Sequence, residues 1–149
     1  MGRHAGGLVR DLFGDFRVAV KSGLSSAVAG SLLSVASFRH FRGTEPPRFA
    51  HSSELELAEL LDASGIAWLY EPHTFPLELS ADGAVLEAFT PDFFLPDAGV
   101  YVECTTAHPS LLSRKRRKIR KASESHGLVI TLHRREDFER LRRKYRAGS

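Results

Sequence analysis

The strongest constraint on this fold is the stretch between residues 67 and 105. Five short apolar or alternating segments follow one another there, at 67–70, 74–79, 85–89, 92–95 and 100–105. Ser80-Ala81-Asp82-Gly83 and Pro96-Asp97-Ala98-Gly99 separate the later ones. Segments this short, bounded by Pro, Asp and Gly, predict β-strands joined by tight turns. A helix precedes them. Ser53 is followed three residues later by Glu56, a capping-box signal, and Leu55, Leu57, Ala58, Leu60 and Leu61 continue in helical spacing to a stop at Gly65. After the strands, residues 110–125 predict a second helix ended by Gly127, residues 128–132 a last strand, and residues 135–145 a basic helix. The expected fold class is α/β, a mixed sheet flanked by helices, in which meandering strands are followed by a helical crossover.

The 149 residues suffice for one domain of ordinary size, and a hydrophobic content of 42% allows a real core. Pro is absent before Pro46, and Gly14, Gly23 and Gly30 interrupt the apolar clusters of that stretch. Residues 1–45 therefore read as an N-terminal arm, partly helical or flexible, and residues 46–146 as the domain, with Thr44-Glu45-Pro46-Pro47-Arg48 at the boundary. The longest apolar run, residues 27–38, is too short to span a bilayer and is broken by Gly30, Ser31, Ser34 and Ser37. Asp11 and Asp15 before it speak against a secretory signal. The single cysteine, Cys104, has no internal disulfide partner. These features predict no membrane partner and a cytoplasmic location.

The net charge of +3 hides an asymmetry. Residues 1–113 hold 7 Lys+Arg against 14 Asp+Glu, a balance of −7, and residues 114–149 hold 14 against 4, a balance of +10. A cationic C-terminal segment on an acidic body suits a polyanionic partner, and equally a solvated helix face.

The chemistry-bearing residues close the strand run. Thr90-Pro91-Asp92-Phe93-Phe94-Leu95 is followed by Val100-Tyr101-Val102-Glu103-Cys104-Thr105, with 11 residues from Asp92 to Glu103. Alternation puts Val100, Val102 and Cys104 on one face, as core, and Tyr101, Glu103 and Thr105 on the other. Two carboxylates on adjacent strands offer the hard oxygen ligands that suit Mg²⁺. With Tyr70-Glu71-Pro72 upstream, an acid on the first helix and a basic helix downstream, residues 48–145 resemble the PD-(D/E)xK nuclease superfamily. The resemblance implies a restriction-endonuclease-like core of order α-β-β-β-α-β-α. It implies an endonuclease dependent on Mg²⁺, or Mn²⁺, that hydrolyses DNA phosphodiesters with a metal-activated water; many such nucleases are dimers, so a homodimer is possible. Asp92, Glu103 and the backbone carbonyl of Cys104 are the implied metal ligands.

One position departs from that pattern. The superfamily places a lysine two residues after the glutamate, where this chain has Thr105. On the second helix, Leu111, Leu112, Ile119 and Ala122 define an apolar stripe that contains Lys115, with Lys118 at its edge and Arg116, Arg117 and Arg120 pointing away. Some members of the superfamily carry the lysine on the neighbouring helix. Lys115, with Lys118 second, is the expected replacement; the alternative is a lysine that snorkels at the stripe margin. On the first helix Glu54 lies within the apolar arc, whereas Glu56 is accounted for by capping and Glu59 by solvent, so Glu54 is the expected helix acid of the site. A turn role for Asp92 and a helix-dipole role for Glu54 are the competing readings. Glu71 reads as structural, with a peripheral ligand as the alternative, and His73 and His126 as surface or strand-end residues. Cys104 and His108 lack the surroundings of a thiol–imidazole pair.

Arg114, Arg116, Arg117, Arg120 and Lys121, and further on Arg140, Arg142, Arg143 and Lys144, are expected to meet nucleic-acid phosphates. Two other functions fit the same residues. Thr105 allows a catalytically inactive nucleic-acid-binding module, and the basic helices allow an interaction protein that docks an acidic partner.

Overall fold

The computed structural model describes residues 38–146, with the side chains of Arg142, Tyr145 and Arg146 excepted. The arm up to residue 37 lies outside the described residues. The elements are α1 (Ser52–Ala63), β1 (Leu69–Tyr70), β2 (Phe75–Leu79), β3 (Val85–Phe89), β4 (Phe93–Leu95), β5 (Val100–Thr105), α2 (Pro109–His126), β6 (Ile130–Arg134) and α3 (Arg135–Arg146). The fold is α/β with a mixed sheet flanked by helices, as the sequence predicts.

Four strands form the sheet, in the order β1-β4-β5-β6. β4 is antiparallel to β1 and β5, and β6 is parallel to β5. A parallel neighbour needs a crossover, and α2 supplies it. The central strand β5 is buried at all six residues. One face of it, with Phe93 and Leu95 of β4, meets Leu57, Ala58 and Leu61 of α1 and Phe138 and Leu141 of α3 in a single core. Trp68 is fully buried at the end of that core, ringed by Phe38, Phe41, Phe49 and Phe93.

The structure differs from the expectation in three places. First, β2 and β3 leave the sheet and pair only with each other as a two-stranded ribbon. Pro76 has no N–H for a second neighbour, and bulges flank Glu78. Without the ribbon, the elements of the main body run α-β-β-β-α-β-α. Second, β6 begins two residues later than expected. Gly127, with φ 64°, ends α2 in the left-handed conformation, and Val129 bonds from the connecting segment, its carbonyl accepting the Tyr101 N–H at 2.9 Å. Third, residues 38–42 pack as part of the domain. Phe41 bridges to Trp68, and the backbone of His40 and Arg42 bonds to that of Trp68. Asp62 accepts from the N–H of His40 at 2.7 Å, of Arg39 at 3.0 Å and of the Trp68 indole at 3.2 Å. The described part of the expected arm, residues 38–42, thus packs on the domain, while Thr44, Glu45 and Pro46 at the expected boundary are exposed.

Candidate active site

Asp92 stands between the buried Pro91 and the first residue of β4, and Glu103 lies in the middle of β5. The antiparallel register, Phe93 opposite Val102, brings the two carboxylates together. Each accepts a backbone N–H from the other's side. Asp92 N–H donates to Glu103 Oε2 at 3.0 Å, and Cys104 N–H donates to Asp92 Oδ2 at 2.8 Å. Asp92 is therefore a cross-strand residue and not a local turn former. Both side chains are nearly sealed, at 8% and 3% exposure. Burial, then the charge of Glu103, pushes the Asp92 carboxyl up to about 8, while the Cys104 N–H and Lys115 act against the shift. Burial also raises Glu103, opposed chiefly by Lys115. Two buried acids this close act as one titrating unit that favours a shared proton or a cation.

That cation comes from α2. Lys115 Nζ lies 2.8 Å from Glu103 Oε1 and donates to the Cys104 carbonyl at 2.9 Å. Lys115, rather than Lys118, reaches the pair from this helix. The geometry follows the sequence pattern with one change. Leu111 is 53% exposed, so the inward face begins at Leu112, with Ala122 as its other buried member. Lys115 is three residues after Leu112 and still faces the sheet. Thr105, two residues after Glu103 on β5, is 4% exposed, and its Oγ1 accepts the Ala107 N–H at 3.0 Å. It shapes the exit from β5 instead of contributing charge.

Glu54 borders the pair, and its charge raises both Asp92 and Glu103. It also has a structural duty that the sequence pattern assigns to Glu56. His51 is the N-cap of α1, and Glu54 Oε2 accepts the N–H groups of Ala50 at 2.6 Å and His51 at 2.9 Å. The Tyr70 hydroxyl donates to the same oxygen at 3.4 Å. Burial and the charge of Glu54 push the Tyr70 phenol well up, so it stays a donor. Glu71 has φ 45°, a conformation uncommon for a residue with a side chain, and its N–H donates to the Asp92 carbonyl at 2.8 Å. It thereby fixes the backbone from which Asp92 projects. Its own carboxyl is raised by burial and by Glu54. A structural role for Glu71 agrees with the sequence reading, whereas the hydrogen bond of Tyr70 to Glu54 has no residue pattern that announces it. His108 caps α2 by accepting from Ser110 N–H, and burial pushes the Cys104 thiol up, away from thiolate chemistry.

The basic residues of α2 divide into two groups. Arg117 pairs with Glu87 of the ribbon at 2.6 Å, and Lys121 with Glu87 at 3.4 Å and Glu78 at 3.9 Å. Arg114, Arg116 and Arg120 are exposed. On α3, Arg140 pairs with Asp137 at 2.8 Å, Arg143 donates to the Glu139 carbonyl, and both Arg143 and Lys144 are exposed. The side chain of Arg142 lies outside the description.

Among the described residues no three His, Cys, Asp or Glu side chains converge to hold a metal ion. A cation here would take its protein ligands from the two carboxylates and the Cys104 carbonyl. The donor set fits Mg²⁺, since all three are hard oxygens and two of them already receive a cation, the Lys115 ammonium. No described helix is long and apolar enough to cross a membrane. Compared with models of known protein families, with curated proteins and with solved structures, the chain matches none.

Proposed function

We propose that this protein is a divalent-metal-dependent nuclease on a restriction-endonuclease-like core, acting on DNA. The observation that carries the reading is the four-part contact of Asp92, Glu103, the Cys104 backbone and Lys115. The α-β-β-β-α-β-α order of the main body supports the fold assignment.

Asp92, Glu103 and the Cys104 carbonyl would hold Mg²⁺ or Mn²⁺. Such an ion polarises a phosphate and makes its bound water acidic enough to attack at neutral pH. The protein's own part is positioning. The exchanged backbone bonds hold both carboxylates in place before any substrate arrives, so no reorganisation is needed later. Lys115 supplies a positive charge beside them, from the helix that follows β5, where Thr105 has none to give. Glu54, held by Ala50, His51 and Tyr70, adds negative charge at the border, which draws positive charge to the pair. Arg114, Arg116 and Arg120 on the exposed side of α2 are suited to backbone phosphates, which set register without reading sequence.

A second reading rests on the same lysine. An ammonium that already satisfies Glu103 and Cys104 neutralises the pair without metal, which suits a non-catalytic nucleic-acid-binding module. A cleavage panel separates the two. Plasmid, linear duplex and single-stranded DNA are incubated with Mg²⁺, Mn²⁺ or EDTA and with wild type or Asp92→Asn. Metal-dependent cleavage that falls on the order of a hundredfold or more in the variant supports the nuclease. Binding without cleavage on any substrate sinks it and leaves the module.

A further inference from the structure

The two oxygens that hold Lys115 are two of the three assigned to the metal. Glu103 Oε1 lies 2.8 Å from Nζ and the Cys104 carbonyl 2.9 Å. An ammonium at those distances fills the space in front of both atoms. Mg²⁺ binds oxygen at about 2.0–2.1 Å. A metal ion on the same two oxygens would share them with the Nζ ammonium, bringing two positive charges together in a buried place where water screens them poorly. Glu103 Oε1 and the Cys104 carbonyl each already accept the ammonium, and a second cation on the same two atoms competes with it. Lys115 has a way out: its side chain is 30% exposed, whereas Glu103 is at 4%. The lysine stem is long and flexible, and its ammonium is stable in water.

We infer that Lys115 is the resident cation of this site, and that a divalent ion binds by displacing its ammonium from Glu103 and the Cys104 carbonyl. The inference rests on the metal-site reading above. Metal binding and lysine release become one event. Without metal, the ammonium keeps the buried pair neutralised and the strands together. With metal, its three N–H donors leave the carboxylate and carbonyl and are free for an anionic oxygen of the substrate. Thr105 is consistent with this arrangement. A lysine at that position would rise from the same strand as Glu103, whereas Lys115 swings from a separate element and can move without disturbing β5.

Two measurements test the inference. Calorimetric titration with Mn²⁺ compares wild type, Lys115→Met and Glu103→Gln. Removing the competitor tightens Mn²⁺ binding in Lys115→Met by about tenfold, the ratio expected from one charged hydrogen bond, and Glu103→Gln loses binding. Equal or weaker binding in Lys115→Met overturns the displacement while the metal site stands. Absence of Mn²⁺ binding in both wild type and Lys115→Met overturns the metal site and the inference with it. The second measurement needs no substitution and stands even if Lys115→Met does not fold. Wild type is acetylated with a limiting reagent with and without Mg²⁺, and the labelling of Lys115 relative to Lys118 is read by mass spectrometry. The ratio rises severalfold with Mg²⁺ if the ammonium is released; an unchanged or lower ratio contradicts displacement.

Discussion

Asp92 and Glu103 stand only because the backbone of each strand holds the carboxylate of the other. The electrostatic consequence is measurable in the metal-free protein. With its folded value about 8 against 3.8 in the ordinary state, Asp92 binds a proton more tightly folded than unfolded. Its contribution to stability is complete below the ordinary carboxylate range and is lost as pH rises toward 8. The melting temperature in EDTA should therefore fall by about 5 °C or more between pH 5 and pH 8.5. Asp92→Asn should flatten that slope, and Mg²⁺ should restore wild type at the upper pH; a flat profile in wild type would mean that the pair is not strained by burial. The pair and Lys115 were legible in the sequence because strand alternation and helix spacing place side chains on faces. The duty of Glu54 was not. Ser53 with Glu56 and His51 with Glu54 have the same spacing, and serine is the better cap by propensity. The start of the helix, which decides between them, is set by packing of Leu57, Ala58 and Leu61.

At the scale of elements, two attachments hold the molecule's outer parts. Asp62 ties residues 38–42 to Trp68 by three hydrogen bonds. Asp62→Ala leaves those donors without their acceptor and should cost on the order of 2–3 kcal/mol, with a red shift of Trp68 fluorescence as the sign that the aromatic ring has opened. The other attachment is Glu87, which joins the ribbon to α2 through Arg117 and Lys121. The Arg117 hydrogen bond holds its carboxyl below the ordinary value. This link is present above the ordinary carboxylate range and is lost as pH falls through the folded value. At neutral pH, Glu87→Gln should speed hydrogen exchange of the β2 and β3 amides while those of β5 stay protected; equal exchange would show that the ion pairs do not anchor the ribbon. Each of these strands was legible from its turn residues. That β2 and β3 pair apart from the sheet was not, because alternation reports which face a residue takes and says nothing about its strand's partner.

Over the whole molecule, an acidic body carries a basic C-terminal segment, and part of that charge is spent internally on Glu87, Glu78 and Asp137. The exposed remainder on α2 is the proposed contact with phosphates. Replacing Arg114, Arg116 and Arg120 by Ala should lower the slope of log affinity for DNA against log salt by about 3, one per lost phosphate contact. An unchanged slope would move the interface to another face. The charge asymmetry was legible from composition; which basic residues of α2 are paired was not, since Glu87, the partner of Arg117 and Lys121, lies 30 and 34 residues away on the ribbon. The claim at the centre of this account is that the Asp92–Glu103 pair binds a metal and breaks phosphodiester bonds. Its most direct test is the cleavage rate of plasmid DNA by wild type and Glu103→Gln, at equal folded fraction, in Mg²⁺ and in EDTA. Wild type is expected to cleave in Mg²⁺ alone, with a loss on the order of a hundredfold or more in Glu103→Gln. Equal rates for the two proteins, or no cleavage by either, would contradict it.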